Sequence, residues 1–264
     1  MNFDLKGKVS LVTGACRGIG RACVEILAKN GSEQIGICCR YKEHIDKASG
    51  EIQNKYGRTV NGFVADLSKP NDIQNMTQSM LQSAKHIDIL IINTGTPAPG
   101  AFSQCSTTDW FNGIAVCLNS TIQLCKEIIP SMKENKFGRI IMLTSIFARE
   151  PDSNFVISST LRSSLLTLSK CLAGELAPFG VTVNTICQGY VDTSLLRQVA
   201  EEQAVLSKRQ TETILHEWQE GIPLKRFAKP EEIGHLVAFL ASEQGDYITG
   251  TVITIDGGVT RGIL

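Results

Sequence analysis

The chain has 264 residues, 42% of them apolar, and its 26 lysines and arginines balance 26 aspartates and glutamates. That is ample core for one large α/β domain, and the paired cations Lys208-Arg209 and Lys225-Arg226 form no basic stripe for nucleic acid or a membrane surface. No signal-peptide h-region opens the chain and apolar stretches such as 87–92 are too short to span a bilayer, so a cytoplasmic protein with no membrane partner is expected. The nine cysteines are odd in number and none lies in a C-x-x-C pair, which predicts reduced thiols acting as small hydrophobes. His44, His86, His216 and His235 lack ligand spacing, so no catalytic metal is expected.

In chain order, short β-branched runs at 9–13, 35–38, 60–65, 87–93, 139–144, 181–186 and 251–255 predict strands, with helix-length intervals between them. Such alternation implies βαβ units: a single α/β domain over 1–264, three-layered, with a doubly wound, mostly parallel sheet of about seven strands. The first helix opens at Arg17-Gly18-Ile19-Gly20 and runs to Lys29, with Gly31 as its stop. Residues 106–133 hold one long helix or two, and 154–178 another. Residues 193–227, rich in Glu, Gln and Lys, read as a helical insertion over the carboxyl ends of the strands, either a solvated hairpin or a substrate lid.

Thr13-Gly14-Ala15-Cys16-Arg17-Gly18-Ile19-Gly20 follows the first strand and opens the first helix. Its G-x-x-x-G-x-G spacing puts glycines where a Rossmann-type fold turns tightly and brings a dinucleotide pyrophosphate to a helix N-terminus. The second strand then ends in Cys38-Cys39-Arg40, without the carboxylate that would hydrogen-bond the 2′-hydroxyl of NAD. Arg40, with Arg17, suits a 2′-phosphate instead, favouring NADP(H) over NAD(H).

With these motifs in place the chain resembles the short-chain dehydrogenase/reductase family over nearly its whole length. By that resemblance Gly14, Cys16, Arg17, Gly18, Ile19 and Gly20 line the cofactor, and Asp66 and Leu67 meet adenine. Asn93, Thr94 and Gly95 occupy the family's Asn-Asn-Ala-Gly position, while Gly189, Val191 and Thr193 belong to a Pro-Gly-x-Val-x-Thr segment that holds the nicotinamide carboxamide, with Gln188 in place of the proline. The tail, from Arg226 through Pro230-Glu231-Glu232-Ile233 to Asp256-Gly257-Gly258, also matches. The resemblance implies a homodimer or homotetramer and a small-molecule carbonyl or acyl thioester substrate.

The family's catalytic set is Ser-Tyr-Lys supported by an asparagine. Ser145 stands at the serine position, but counting from Ser145 and back from Glu175 both put Ser158 where the tyrosine belongs, and Arg162 takes the lysine position. The asparagine maps onto Cys117, with Asn119 as the alternative. An aliphatic hydroxyl is a far weaker acid than a phenol, so Ser158 does not simply replace tyrosine. Arg162 keeps the charge and a hold on the ribose but never deprotonates. The remaining candidates for a proton donor are Tyr190, Ser145 and a relayed water, which the sequence does not rank. A divergent branch near the β-ketoacyl-acyl-carrier-protein reductases has a similar Ser-x-x-x-Arg frame and an Asn-Thr-Gly opening into a Pro-rich loop, as in 93–100. Two readings follow: an NADP-dependent oxidoreductase of carbonyls and secondary alcohols with altered catalytic residues, or a catalytically silent dinucleotide-binding regulatory or structural subunit.

Overall fold

The computed structural model describes residues 3–262, apart from the side chain of Leu206, so the outermost residues of the predicted 1–264 domain lie outside the described residues. Seven parallel strands form one sheet in the order β3-β2-β1-β4-β5-β6-β7. They are β1 (Val9–Val12), β2 (Gln34–Cys39), β3 (Thr59–Val64), β4 (Ile89–Asn93), β5 (Gly138–Leu143), β6 (Val181–Gln188) and β7 (Val252–Ile255). The crossovers are helical: α1 (Gly18–Lys29), α2 (Lys42–Tyr56), α3 (Pro70–Ala84), α4 (Thr107–Gly113), α5 (Ser120–Asn135), α6 (Val156–Leu176), α7 (Ser194–Ser207), α8 (Thr211–Gly221) and α9 (Pro230–Ala241).

The central strands β4 and β5 are buried on both faces because helices cover both. Along β4, Ile89 and Ile91 enter one core with Leu27, Ile37, Ile233 and Val237, while Leu90 and Ile92 enter the other with Met80, Leu124, Ile128 and Leu165. The period of two that normally separates core from solvent here separates two cores. The chain reverses its winding between β1 and β4, so the carboxyl ends of these strands flank the crevice where such sheets bind ligands.

Within the helical stretch predicted at 106–133, α4 and α5 are joined by a π-helix, Ile114–Asn119. Thr121 Oγ1 donates to the Cys117 carbonyl (2.7 Å), a side-chain bond that competes with the regular helical ladder beside this looser turn. The predicted insertion at 193–227 is the helical pair α7–α8, held together by Ala200, Ala204 and Ile214 with Leu215 and Trp218.

One expectation is corrected. Cys16 and Cys39, 23 positions apart in sequence, form a disulfide with Cα atoms 6.2 Å apart, so not every thiol is free. The glycine loop folds onto the end of β2, where the Ala15 N–H donates to the Cys38 carbonyl (3.1 Å), and this contact between strand ends has no signature in cysteine spacing. Closing a ring of this length restricts the unfolded chain by about 3 kcal/mol. Reduction is therefore expected to lower Tm by about 6–10 °C, read by calorimetry with and without a phosphine reductant.

Candidate active site

Most of the residues singled out by sequence lie at or just beyond the carboxyl ends of strands β1 to β6, with Ser158 and Arg162 on α6. Thr13 ties β1 and β4 together: its hydroxyl donates to the Asn93 carbonyl (3.1 Å) and accepts from the Asn93 N–H (2.9 Å). Asn93 Nδ2 in turn donates to the Gly14 carbonyl (3.1 Å), locking the glycine loop over β4. Gly14 has φ of +57°, and a Cβ there would lie 2.6 Å from the Asn93 carbonyl oxygen, so this cradle requires glycine. Arg17 caps α1 without a side-chain hydrogen bond, and the first turn of α1 holds no acidic residue. The first N–H groups of the helix are thus left for an anion.

Around this loop, Thr193 approaches Gly18 and caps α7, its Oγ1 accepting from the Leu196 N–H (3.2 Å). Cys16 and Ile19 pack against the core cluster that holds Val191. Leu67 packs against the opposite core. Arg40 is exposed at the end of β2, and its charge reaches Asp66. Burial pushes the Asp66 carboxyl up, but hydrogen bonds from the Ser68 N–H and hydroxyl, with the charges of Lys69 and Arg40, outweigh it and hold the group below its ordinary value. Gly189 donates its N–H to the Ile255 carbonyl (3.0 Å), fixing the segment that leads to Tyr190.

The catalytic positions form a buried network. Arg162, only 6% exposed, donates from Nε to Ser158 Oγ (3.2 Å), from Nη1 to the Leu143 carbonyl (3.3 Å) and from Nη2 to the Gly95 carbonyl (3.4 Å). Its planar fork spans three oxygens from three elements, a task for which an ammonium has the wrong shape. Thr160, Ser163 and Ser164 on the same helix donate their hydroxyls to backbone carbonyls, whereas Ser158 donates to none among the described residues. Its hydroxyl hydrogen is therefore available while its oxygen faces a guanidinium. Ser145, at the end of β5, accepts from the Phe147 N–H (3.3 Å) through Oγ.

Of the two candidates for the family's asparagine position, Asn119 is exposed and Cys117 is buried. Cys117 lies in the π-helix, accepts from Thr94 Oγ1 (3.7 Å) and donates to the Gly95 carbonyl (3.7 Å) that Arg162 also holds. Tyr190 lies outside this network: its ring stacks on Trp218 (5.5 Å) and tilts against Phe227 (6.4 Å). Burial, then the nearby charge of Asp152, pushes its phenol above its ordinary value. A cleft of about 320 Å³ between α7 and α8 is lined by Thr193, Leu196 and Arg197 on one side and Glu212, Leu215 and His216 on the other, and does not include Ser145, Ser158 or Arg162.

In the sequence Gln188 stands only as a replacement for the family's proline. At the end of β6 its Oε1 is buried without a hydrogen-bond partner among the described residues. An orphaned acceptor beside the segment expected to hold a carboxamide, together with the glycine cradle, fits a dinucleotide. Among the described residues no group of three or more His, Cys, Asp or Glu side chains is placed to hold a metal ion, and no helix is long and apolar enough to cross a membrane.

The family described as enoyl-(acyl carrier protein) reductase matches residues 14–260. The chain is a short-chain dehydrogenase/reductase. Among relatives of this oxidoreductase family, the 3-oxoacyl-[acyl-carrier-protein] reductase FabG of Aquifex aeolicus is 36% identical over 98% of this chain and 100% of that protein. Oxidoreductase UcpA of Escherichia coli O157:H7 is 33% identical over 97% of this chain and 95% of its own length. In structure, this chain resembles L-sorbose reductase from Gluconobacter frateurii, solved with NADPH and L-sorbose (TM-score 0.94, 28% identity, 100% of both chains). It also resembles YwfH, an NADPH-dependent reductase involved in bacilysin biosynthesis (TM-score 0.92, 31% identity, 97% of this chain and 99% of that one). The seven-stranded sheet and the single doubly wound domain expected from the sequence are the architecture these reductases share.

Proposed function

We propose that this chain is an NADP(H)-dependent reductase of a small-molecule carbonyl, either a ketone or a 3-oxoacyl thioester, and that it uses Ser158 and Arg162 in place of tyrosine and lysine. The observation that carries this reading is the buried Arg162 Nε–Ser158 Oγ hydrogen bond, which leaves the serine hydroxyl hydrogen free and polarised. The N-terminus of α1 and the glycine loop would hold the pyrophosphate. Arg17 and Arg40 would hold the 2′-phosphate, Asp66 and Leu67 the adenine, and Asn93, Thr94, Gly95 and Arg162 the nicotinamide ribose. Gly189, Val191, Thr193 and Gln188 would hold the carboxamide. When bound, the cofactor supplies the hydride.

In this reading Ser145 and Ser158 donate hydrogen bonds to the substrate oxygen, and the fixed guanidinium stabilises the negative charge that develops there. Because neither serine nor arginine is an effective acid near neutral pH, the proton comes from water relayed through Ser158. The α7–α8 pair within 193–227 serves as the substrate lid, anchored by the Tyr190–Trp218 stack. The substrates named for the relatives, L-sorbose and 3-oxoacyl-[acyl-carrier-protein], each present a ketone. Exposed Phe102 and Phe111, 74% and 67% accessible, suit a homodimer or homotetramer, which sedimentation would show.

NADPH oxidation against a panel of ketoses, simple ketones and 3-oxoacyl thioesters is expected to reveal turnover. Tight NADPH binding without turnover on any of them would leave the second reading, a silent dinucleotide-binding subunit, which the lost phenol and ammonium favour. The double variant Ser158→Tyr/Arg162→Lys is expected to raise turnover by up to about 10²-fold by restoring a general acid. A Tyr190→Phe enzyme is expected to keep kcat within about threefold, whereas a loss of about 10²-fold or more would make Tyr190 the donor.

A further inference from the structure

The Cys16–Cys39 disulfide joins the glycine loop to the end of β2. Its members are the immediate neighbours of Arg17 and Arg40, the two arginines assigned to the 2′-phosphate. Both sulfur-bearing residues are half-buried and so reachable by solvent. Most of the other cysteines are sealed off: Cys23, Cys38, Cys117, Cys125 and Cys187 are buried. Burial pushes the thiols of Cys23 and Cys125 up to about 12 and that of Cys38 to about 11. Cys105 and Cys171 reach the surface, each without a cysteine partner.

The chain thus spends two of its nine cysteines on one bridge and leaves the other seven free. Proteins kept in an oxidising compartment tend to pair their thiols, and an isolated bridge at a ligand site is the pattern of a redox sensor. We propose that Cys16 and Cys39 are a reversible thiol–disulfide site that gates the adenosine end of the cofactor pocket, open when reduced and closed when oxidised. This gate rests on the dinucleotide reading given above.

The physical basis is local. A ribose 2′-phosphate held by both Arg17 and Arg40 would have to reach both the loop and the strand end, the two segments that the sulfurs tie together. Oxidation removes the thiol hydrogens as donors and ties the loop covalently to β2; with the bridge open, the Ala15 N–H to Cys38 carbonyl bond seen here would be left to hold the loop, a contact that can yield to the ligand. In closing, the two thiols pass two electrons and two protons to the disulfide of an oxidised dithiol carrier or a low-molecular-weight disulfide. One S–S bond forms in the protein as the carrier's S–S bond breaks into two thiols, and the reverse exchange opens the gate.

The test uses the full-length protein, oxidised with glutathione disulfide or reduced with a phosphine, alkylated and mapped by mass spectrometry, with NADPH affinity titrated in each state. The expected result is a Cys16–Cys39 linked peptide in the oxidised sample only, with NADPH bound at least tenfold more weakly there. A Cys39→Ala variant should show one NADPH affinity under both treatments. By reciprocity, saturating NADPH should slow formation of the linked peptide. A linked peptide with equal or tighter NADPH binding overturns the gate and leaves the cofactor reading standing, as does failure of the linked peptide to form when the reduced protein binds NADPH. No NADPH binding in either state overturns the gate and the cofactor reading together.

Discussion

An Arg162→Met enzyme is expected to lose NADPH-dependent carbonyl reduction by about 10²- to 10³-fold, the usual consequence of removing a fixed charge or donor that faces developing negative charge. Methionine replaces the apolar arginine stem with a flexible side chain of similar reach, which limits the packing loss to the space of the guanidinium itself. The change also strips partners from the Leu143 and Gly95 carbonyls and from Ser158 Oγ. Each buried polar group left unpaired costs about 1–3 kcal/mol, so a lower Tm should accompany the kinetic loss. Arg162→Lys separates the two effects. It restores the charge but serves one oxygen at a time, and should recover part of kcat while remaining less stable than the wild type. Steady-state kinetics beside an NADPH titration would check this: an Arg162→Met enzyme with wild-type kcat and unchanged NADPH affinity would place the chemistry on other residues.

Much of this site was legible before any coordinates because its parts are local. Strand β4 announces itself as an uninterrupted apolar run because both of its faces are buried, and the glycine loop because consecutive backbone positions there have conformational needs few residues meet. Ser158 and Arg162 stand four residues apart, about one helical turn, and that spacing is what brings Arg162 Nε to Ser158 Oγ on α6. The illegible parts are those made by chain segments far apart in sequence. The Cys16–Cys39 bridge depends on a loop folding back over the neighbouring strand, and neither cysteine spacing nor their odd number points to it. Likewise, the contacts of Arg162 with Leu143 and Gly95 join α6 to β5 and to the loop after β4, which only the strand order brings together. Cys117 is buried and Asn119 exposed within a π-helix, an irregularity that leaves no mark in the hydrophobic period. The unpartnered Gln188 oxygen is invisible from sequence for a different reason: a glutamine side chain declares its chemistry but not which of its bonds go unmade.

Gly20→Ala is expected to weaken NADPH binding by about 10²-fold or more, since the pyrophosphate is proposed to sit where this residue opens the helix. A Cβ at Gly20 would overlap the Gly14 carbonyl oxygen and lie 2.8 Å from Asn93 Nδ2. The first of these is main chain and the second is already committed to the Gly14 carbonyl, so neither yields cheaply. Relief has to come from lifting the loop, which would break the Asn93–Gly14 hydrogen bond and the Thr13–Asn93 pair that align β1 with β4. The damage should therefore fall on the ligand site first and on Tm second, because the strands remain held by their own ladders and by both cores. Gly50 in α2 is the matched control: a Cβ there meets no atom within 4 Å, so Gly50→Ala should leave NADPH affinity unchanged and stabilise the fold by about 0.5–1 kcal/mol. Titrating NADPH into both variants and recording their melting curves distinguishes a collapsed phosphate cradle from a general loss of fold. Wild-type affinity in Gly20→Ala would mean that the N-terminus of α1 does not carry the phosphates.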